Sequence, residues 1–188
     1  MELQTPRLRL DALHEQDAGA LLGYRGDPEV ARYQGWQPQC VAHVQRFIHD
    51  QVGMASPVAG SWFQRAIRLR EDDRLIGDLG LCLSADHQAE VGITLAPAHQ
   101  GRGYAREALA AVLEALFRTM GVHRVHASVD PRNLPSVNLM RALGLRQEAH
   151  FRQSLMLRGE WVDDLVFALL AHEWSAPPAE NAGEAASR

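Results

Sequence analysis

The sequence predicts an α/β (α+β) fold on a mixed, mostly antiparallel sheet. Three observations predict it. Apolar runs of strand character lie before, between and after a few stretches of helical period. Residues 89–130 read as strand, helix, strand, a crossover that forces a parallel pair. Paired strand signals on either side of it add antiparallel neighbours.

The elements follow in order. "RLRLDAL" (7–13) alternates apolar and basic residues and reads as an edge strand. Residues 14–33 look helical, with a break at Gly26-Asp27-Pro28, where Asp27 can cap a helix carrying Pro28 in its first turn. Residues 40–52 place Val41, Val44, Phe47, Ile48 and Val52 on one helical face. "SWFQRAIRLRE" and "RLIGDLGLCLS" read as a hairpin around Glu71-Asp72-Asp73, and "AEVGITLA" (89–96) as a further strand. From residue 103 to 120, Leu109, Val112, Leu113, Leu116, Phe117 and Met120 recur at three and four residues, and Gly121 can end the helix. "RVHASVD" (124–130) is a strand, and "PSVNLMRALG" (135–144) a short helix opening on Pro135. Residues 151–174 read as two strands around Arg158-Gly159. The chain is read as one domain over residues 1–175, followed by a small, polar, proline-bearing tail (176–188) expected to be disordered.

Composition excludes several classes. With 46% hydrophobic and 22% charged residues the chain has ordinary globular composition, and a net charge of −4 argues against general nucleic-acid binding. No apolar run approaches the ~20 residues of a membrane span. The N-terminus is charged from the start and lacks a signal-peptide core, so the expected location is cytoplasmic. Cys40 and Cys82 cannot form a disulfide framework, sit in no ligand cluster, and are read as buried thiols. The nine histidines show no metal-ligand spacing; His123 and His126, three apart on a strand, point to opposite faces. No metal is expected.

"TLAPAHQGRGYAREAL" (94–109) raises the functional question. A helix N-terminus carries unpaired N–H groups and about half a positive charge, and glycines let an anion approach them. Gln100 to Ala105 could therefore cradle a phosphate or diphosphate, with Arg102 and Arg106 adding charge at the rim. A P-loop is absent, and Gly101-x-Gly103-x-x-Arg106 lacks the third glycine of a dinucleotide fingerprint. The plain alternative is a strand-to-helix turn with no ligand.

Gln100-Gly101-Arg102-Gly103-Tyr104-Ala105 resembles the Q/R-x-x-G-x-G/A signature of the GCN5-related N-acetyltransferases (GNAT family). "NLPSVNLMRALGL" (133–145) resembles that family's second conserved segment. "TPRLRLDAL" and "GEWVDDLVFALLAHEW" look like the branch that includes ribosomal-protein N-terminal acetyltransferases (RimJ/RimL-type). The resemblance spans roughly residues 3–174. It implies splayed parallel strands at 89–96 and 124–130, with helices on both faces of the sheet. It also implies acetyl-CoA as co-substrate, its diphosphate held by the amides of Gln100, Gly101, Arg102, Gly103, Tyr104 and Ala105. The pantetheine arm would pair with Ile93, Thr94 and Leu95 as an added strand, and hydrogen-bond Asn133. A turn-capping role for Asn133 is the plain alternative.

The implied reaction is direct acetyl transfer to an amine, with a backbone N–H of residues 93–95 polarising the thioester carbonyl. The family's frequent tyrosine acid corresponds to Met140, and that branch's glutamate to Leu155, so neither is present. Ser136 matches the serine proposed as acid in that branch, and is otherwise a helix N-terminal serine. Glu90 is a candidate base, although period-two alternation puts it out of phase with Ile93 and Leu95 unless a bulge intervenes. Asp78, Asp163, Asp164 and several histidines are also available. An α-amine, with a pKa of about 8, needs less help than a lysine near 10.4. The leading expectation is therefore acetylation of a protein or peptide N-terminus. A small amine (aminoglycoside, polyamine or amino acid) and a non-catalytic CoA-binding module are the alternatives. Residues 24–60, with Tyr24, Tyr33, Trp36 and nearby Trp62, are expected to wall the acceptor site or to join the core. No nucleic acid or membrane partner is expected; a homodimer is allowed. Gly103→Val is expected to abolish cofactor binding with little loss of fold.

Overall fold

The computed structural model describes residues 1–176, so the expected tail lies, but for its first residue, outside the described residues. Eight strands form one sheet in the order β1-β2-β3-β4-β5-β6-β8-β7. They are β1 (Leu3–Gln4), β2 (Leu8–Asp11), β3 (Trp62–Leu69), β4 (Leu75–Leu83), β5 (Gln88–Leu95), β6 (Arg124–Val129), β7 (Arg146–Leu157) and β8 (Glu160–Leu170). Among the described residues only β5 and β6 pair in parallel. Between them runs α4 (Tyr104–Glu114), the expected crossover helix.

Helices cover both faces. α1 (Ala18–Arg25), α2 (Pro28–Ala31) and α3 (Val41–Gln51) precede β3, and α5 (Leu134–Ala142) follows β6. Leu21, Tyr24, Val44 and Ile48 pack with Ala66 of β3 on one face. Ile67, the next residue, turns to the other face, where Leu109 and Val112 of α4 and Val137 and Met140 of α5 meet Leu79, Val125 and Phe167. This is strand alternation feeding two cores. Two buried ion clusters tie the layers. Arg68 of β3 binds Asp11 (2.9 Å) and Asp17 (2.7 Å). Arg25 of α1 grips Asp78 of β4 (2.5 Å), and the same carboxylate accepts the Tyr24 hydroxyl (2.8 Å).

Several local expectations are corrected. The 7–13 strand is not an edge, because Leu3 and Gln4 pair outside it at Leu10 and Arg9. A two-residue strand carries too little pattern to be read. Cys40 is exposed and Cys82 half-buried, since Cys40 only precedes α3 and Cys82 lies next to the last residue of β4, beside an open cleft. Val41 and Val52 flank the α3 stripe and stay 43% and 66% exposed. The long helix stops being α-helical at Glu114 and continues as a π turn, Ala115–Thr119, before Gly121 at φ +66°. The penultimate strand starts at Arg146, not 151, and two register shifts against β8 blur its alternation. The hairpin tip at Arg158 (φ 53°) and Gly159 (φ 82°) has the two left-handed residues of a tight turn. Asp27 caps α2 as expected, accepting the Glu29 N–H at 2.9 Å.

Candidate functional site

β5 and β6 pair only at Gln88↔Arg124, Ala89↔Val125 and Glu90↔His126. Beyond Glu90 the strands part, while β5 stays paired with β4 to Leu95 and β6 with β8 to Val129. The result is a wedge with its apex at Glu90 and His126. The Ala96 N–H donates to Ile76 C=O across the β4–β5 ladder. Antiparallel rungs alternate, so the Thr94↔Asp78 and Gly92↔Gly80 pairs are bonded, and the N–H and C=O of Val91, Ile93 and Leu95 point away from β4 into the wedge. An extended polar chain could be received there as a strand is, by Ile93 and Leu95 rather than by the backbone of Thr94.

Both parallel strands run toward the open end, and each hands the chain to a helix there, α4 after β5 and α5 after β6. Gly101 (φ 71°) and Gly103 (φ 78°) are left-handed, which sets the turn and makes Gly103 the N-cap of α4. The first helical bond here is Glu107 N–H to Gly103 C=O (3.0 Å). Among the described residues, the N–H groups of Gly101 to Ala105 donate to no backbone or side-chain acceptor. This cluster of unused donors fits an anion.

The turn is braced from a direction the sequence did not reveal. Glu107, in the first turn of α4, accepts from Thr5 Oγ1 (2.5 Å), Arg7 N–H (2.9 Å) and Arg7 Nε (2.6 Å). Arg7 also donates through Nη1 to Arg102 C=O (3.1 Å) and lies over the Tyr104 ring at 4.7 Å. Arg102 is exposed and Arg106 half-buried on the same turn. Gln100 donates its side-chain amide to Leu95 C=O (3.0 Å), joining the loop to the wedge wall. His99 is pushed below the usual imidazole range by burial and by Arg74 and Arg102.

The acid–base candidates separate clearly. Glu90 lies on the face with Cys82 and Thr94, opposite Ala89, Val91 and Leu95, and the β4–β5 register runs without a bulge. Its Oε2 is 3.9 Å from His126 Nε2, and both side chains are about one-third exposed (37% and 30%). They line a cleft of about 440 Å³ with Cys82, Leu83 and Gly60. His126 Nδ1 is buried, with no hydrogen-bond partner among the described residues. The sequence does not single His126 out from the other histidines; register alone makes it Glu90's neighbour. Ser136 sits in the first turn of α5, half-buried, and Asn133 is the N-cap whose Oδ1 accepts the Ser136 N–H (3.3 Å). The capping role of Asn133 is thus real, and it leaves the Ser136 hydroxyl uninvolved.

Asp78 is unsuited to base work: it is fully buried and held by Arg25 and Tyr24. Burial and the Asp78 charge drive the Tyr24 phenol well above its ordinary range, so Tyr24 is core. Trp36 stacks on Phe47 (4.4 Å), Tyr33 approaches Arg132 C=O (3.5 Å), and Trp62 is 43% exposed. Asp163 is tied to the Gln153 N–H and to His150 (2.7 Å), which together hold its carboxyl low. Asp164 accepts from Ser128 Oγ (2.6 Å). Met140 is buried among core side chains, and Leu155 is exposed on β7. Among the described residues no group of His, Cys, Asp and Glu is arranged to hold a metal, and no helix is long and apolar enough to cross a membrane.

Comparison with known proteins gives this geometry a context. Residues 7–146 match the family described as an acetyltransferase (GNAT) domain. A Bacillus subtilis (strain 168) protein named as the uncharacterized N-acetyltransferase YnaD is 30% identical over 93% of this chain and 100% of its own. The [ribosomal protein uS5]-alanine N-acetyltransferase of Escherichia coli (strain K12) is 26% identical, covering 93% of each chain. A GNAT-family acetyltransferase from Bacillus anthracis superposes with a TM-score of 0.83 at 26% identity, over 92% of this chain and 100% of that one.

Proposed function

The chain belongs to the GNAT acetyltransferase family and is an acetyl-CoA-dependent N-acetyltransferase, and on that premise we propose that it acetylates the α-amino group of a protein or peptide N-terminus. The observation that carries this acceptor is the likeness to the uS5-alanine N-acetyltransferase over 93% of both chains. The chemistry agrees, because an α-amine with a pKa of about 8 is partly free base at neutral pH. Asp78, the fully buried carboxylate of this region, is already occupied by Arg25.

Bound acetyl-CoA supplies an acetyl group activated as a thioester; transfer makes a C–N bond and breaks a C–S bond. The amides of Gly101 to Ala105 hold the diphosphate, with Gln100 fastening the loop and Arg102 and Arg106 adding positive charge. The wedge-facing backbone of Ile93 and Leu95 orders the pantetheine arm, Asn133 lies at the same open end, and the Ile93 N–H polarises the carbonyl. Thr94 turns its backbone to β4 instead. Glu90, beside His126 at the apex, takes the proton the amine sheds, directly or through water. Ser136 returns a proton to the departing sulphur, its hydroxyl being left uncommitted by the helix cap.

Thiol release is to be followed with three probes: tetrapeptides with free N-termini, an N-blocked peptide carrying one lysine, and spermidine. The expected result is at least a ten-fold higher kcat/KM for the free N-termini. Preference for spermidine or the lysine peptide would overturn the assignment of the acceptor.

A further inference from the structure

Asp130 follows the last residue of β6, and residues 131–133 link it to α5. Pro131 has no N–H, so the first backbone donor after Asp130 is that of Arg132. The Asp130 carboxylate accepts it at 2.8 Å, a turn that Asp favours. Asp27 makes the same turn before Pro28, accepting the Glu29 N–H at 2.9 Å, and among the described residues no side chain donates to it. Asp130 goes further. Its oxygens also accept from the Arg132 guanidinium, through Nε (3.0 Å) and Nη2 (2.7 Å), and its side chain is only 4% exposed. Asp72 and Arg74 repeat this pair on the β3–β4 hairpin, but there the carboxylate is 40% exposed and solvent screens it. Burial opposes the charge of Asp130, yet the Arg132 hydrogen bonds outweigh it and hold the carboxyl low. Glu160, the other carboxylate near Arg132, is 3.7 Å away and largely exposed, so Asp130 sets the geometry.

What this clamp holds gives it a meaning. The Asp130 C=O accepts the Asn133 N–H (2.9 Å), and Asn133 Oδ1 accepts the Ser136 N–H (3.3 Å). One run of hydrogen bonds thus joins the end of β6 to the first turn of α5. Among the described residues, the Asn133 side-chain N–H groups and the Ser136 hydroxyl donate to nothing. Beyond His126, β6 has lost β5 and keeps only β8 beside it, so the loop at its end is held by a strand on one side alone.

We propose that Asp130 is a positioning residue: through Arg132 it fixes the loop that presents Asn133 and Ser136 at the open end of the wedge. This rests on the acyl-transfer reading above and adds what holds two of its residues in place. Asp130 touches neither the coenzyme nor the amine. With the clamp open, residues 131–133 regain backbone freedom. A displacement of about 1 Å at a reacting group can lower a rate by about a hundred-fold.

Asp130→Ala and Arg132→Gln test this, each alone and combined with Ser136→Ala or Asn133→Ala. The measurements are kcat and KM for the tetrapeptides, CoA affinity by calorimetry, and melting temperature. Arg132 is half exposed, so its variant is expected to fold even where Asp130→Ala does not. Both variants are expected to lower kcat at least ten-fold and to weaken CoA binding three- to ten-fold, with the amine KM within two-fold. With Ser136 already Ala, either is expected to lower kcat less than two-fold further, because the group it positions is gone. Values of kcat and CoA affinity within two-fold of wild type in both variants overturn the proposal. Losses that multiply in full with those of both Ser136→Ala and Asn133→Ala overturn it too. Should Ser136→Ala alone leave kcat unchanged, the acid assignment falls, and the clamp is judged on CoA affinity in the Asn133→Ala cycle. Should the wild type accept only the lysine peptide or spermidine, the α-amine assignment falls, and the clamp is judged on that probe.

Discussion

Gly103 shows how one residue can serve fold and ligand at once. At φ 78° it holds a left-handed conformation, and a Cβ would stand 3.3 Å from Arg7 Nη2. The expectation that valine here would spare the fold is therefore corrected. An L-residue in that conformation costs about 1–2 kcal/mol before any ligand is considered. Gly103→Ala is expected to lower the melting temperature by about 2–8 °C, at the usual 2–4 °C per kcal/mol for a chain of this size, and to weaken CoA binding as well. A variant with unchanged Tm and unchanged affinity would contradict both roles. Ser136→Ala offers the opposite signature. Because Asn133 caps α5 through the Ser136 backbone N–H, the hydroxyl can be removed without touching the cap. Stability is expected to change by less than about 0.5 kcal/mol, while kcat falls if Ser136 is the acid. An unchanged kcat removes it from the mechanism. The spacing of the glycines and of Asn133 and Ser136 was legible in the sequence because those residues are close together in it. The pairing of Glu90 with His126 was not, because it depends on which rung two distant strands share.

At the scale of elements, the cofactor turn is stiffened by a segment a hundred positions away. Thr5 and Arg7 converge on Glu107, whose side chain is 15% exposed, and so fasten the strand before β2 to the first turn of α4. Hydrogen bonds to a charged group are worth about 1.5–3 kcal/mol each in such settings. Glu107→Ala is expected to destabilise the protein, to weaken CoA binding three- to ten-fold, and to speed amide exchange across residues 100–105. Exchange unchanged in that loop would show that the brace does not order it. Nothing in "TPRLRLDAL" or "GYAREAL" signals this brace, since charge complementarity between distant segments has no local period. The wedge has the same status. The crossover predicts a parallel pair, but only the register shows that pairing stops after three rungs.

For the molecule as a whole, residues 1–175 are read as one unit, and one sheet joins both cores. A single cooperative unfolding transition is expected by two probes, circular dichroism and tryptophan fluorescence; separated transitions would divide the chain. Acid should unfold it progressively. Burial opposes the charge of Asp17, but hydrogen bonds from Arg68 and the His14 N–H outweigh it and hold the carboxyl low. Hydrogen bonds from Arg124 to Glu148 and from Arg146 to Glu173 depress those two in the same sense. Each group is more acidic folded than unfolded, so its contribution is complete above the ordinary carboxylate range and is lost as the pH falls below about 4. The urea midpoint is expected to be flat between pH 6 and 8 and to drop steeply below 4. A midpoint independent of pH down to 3 would show that these pairs do not hold the fold.

By itself the sequence determined the fold class, the crossover, the glycine turn at 101–103 and the family, because periodicity, turn chemistry and short motifs act over a few consecutive residues. It also placed Glu90 correctly out of phase with Ile93 and Leu95. Tertiary structure alone decided that the 7–13 strand lies inside the sheet and that Asp78 is locked to Arg25. It alone braced the turn with Arg7 and Glu107, and set His126 beside Glu90. The physical reason is one of range. Backbone propensity is local, whereas burial, register and charge pairing are settled only when distant segments share one sheet.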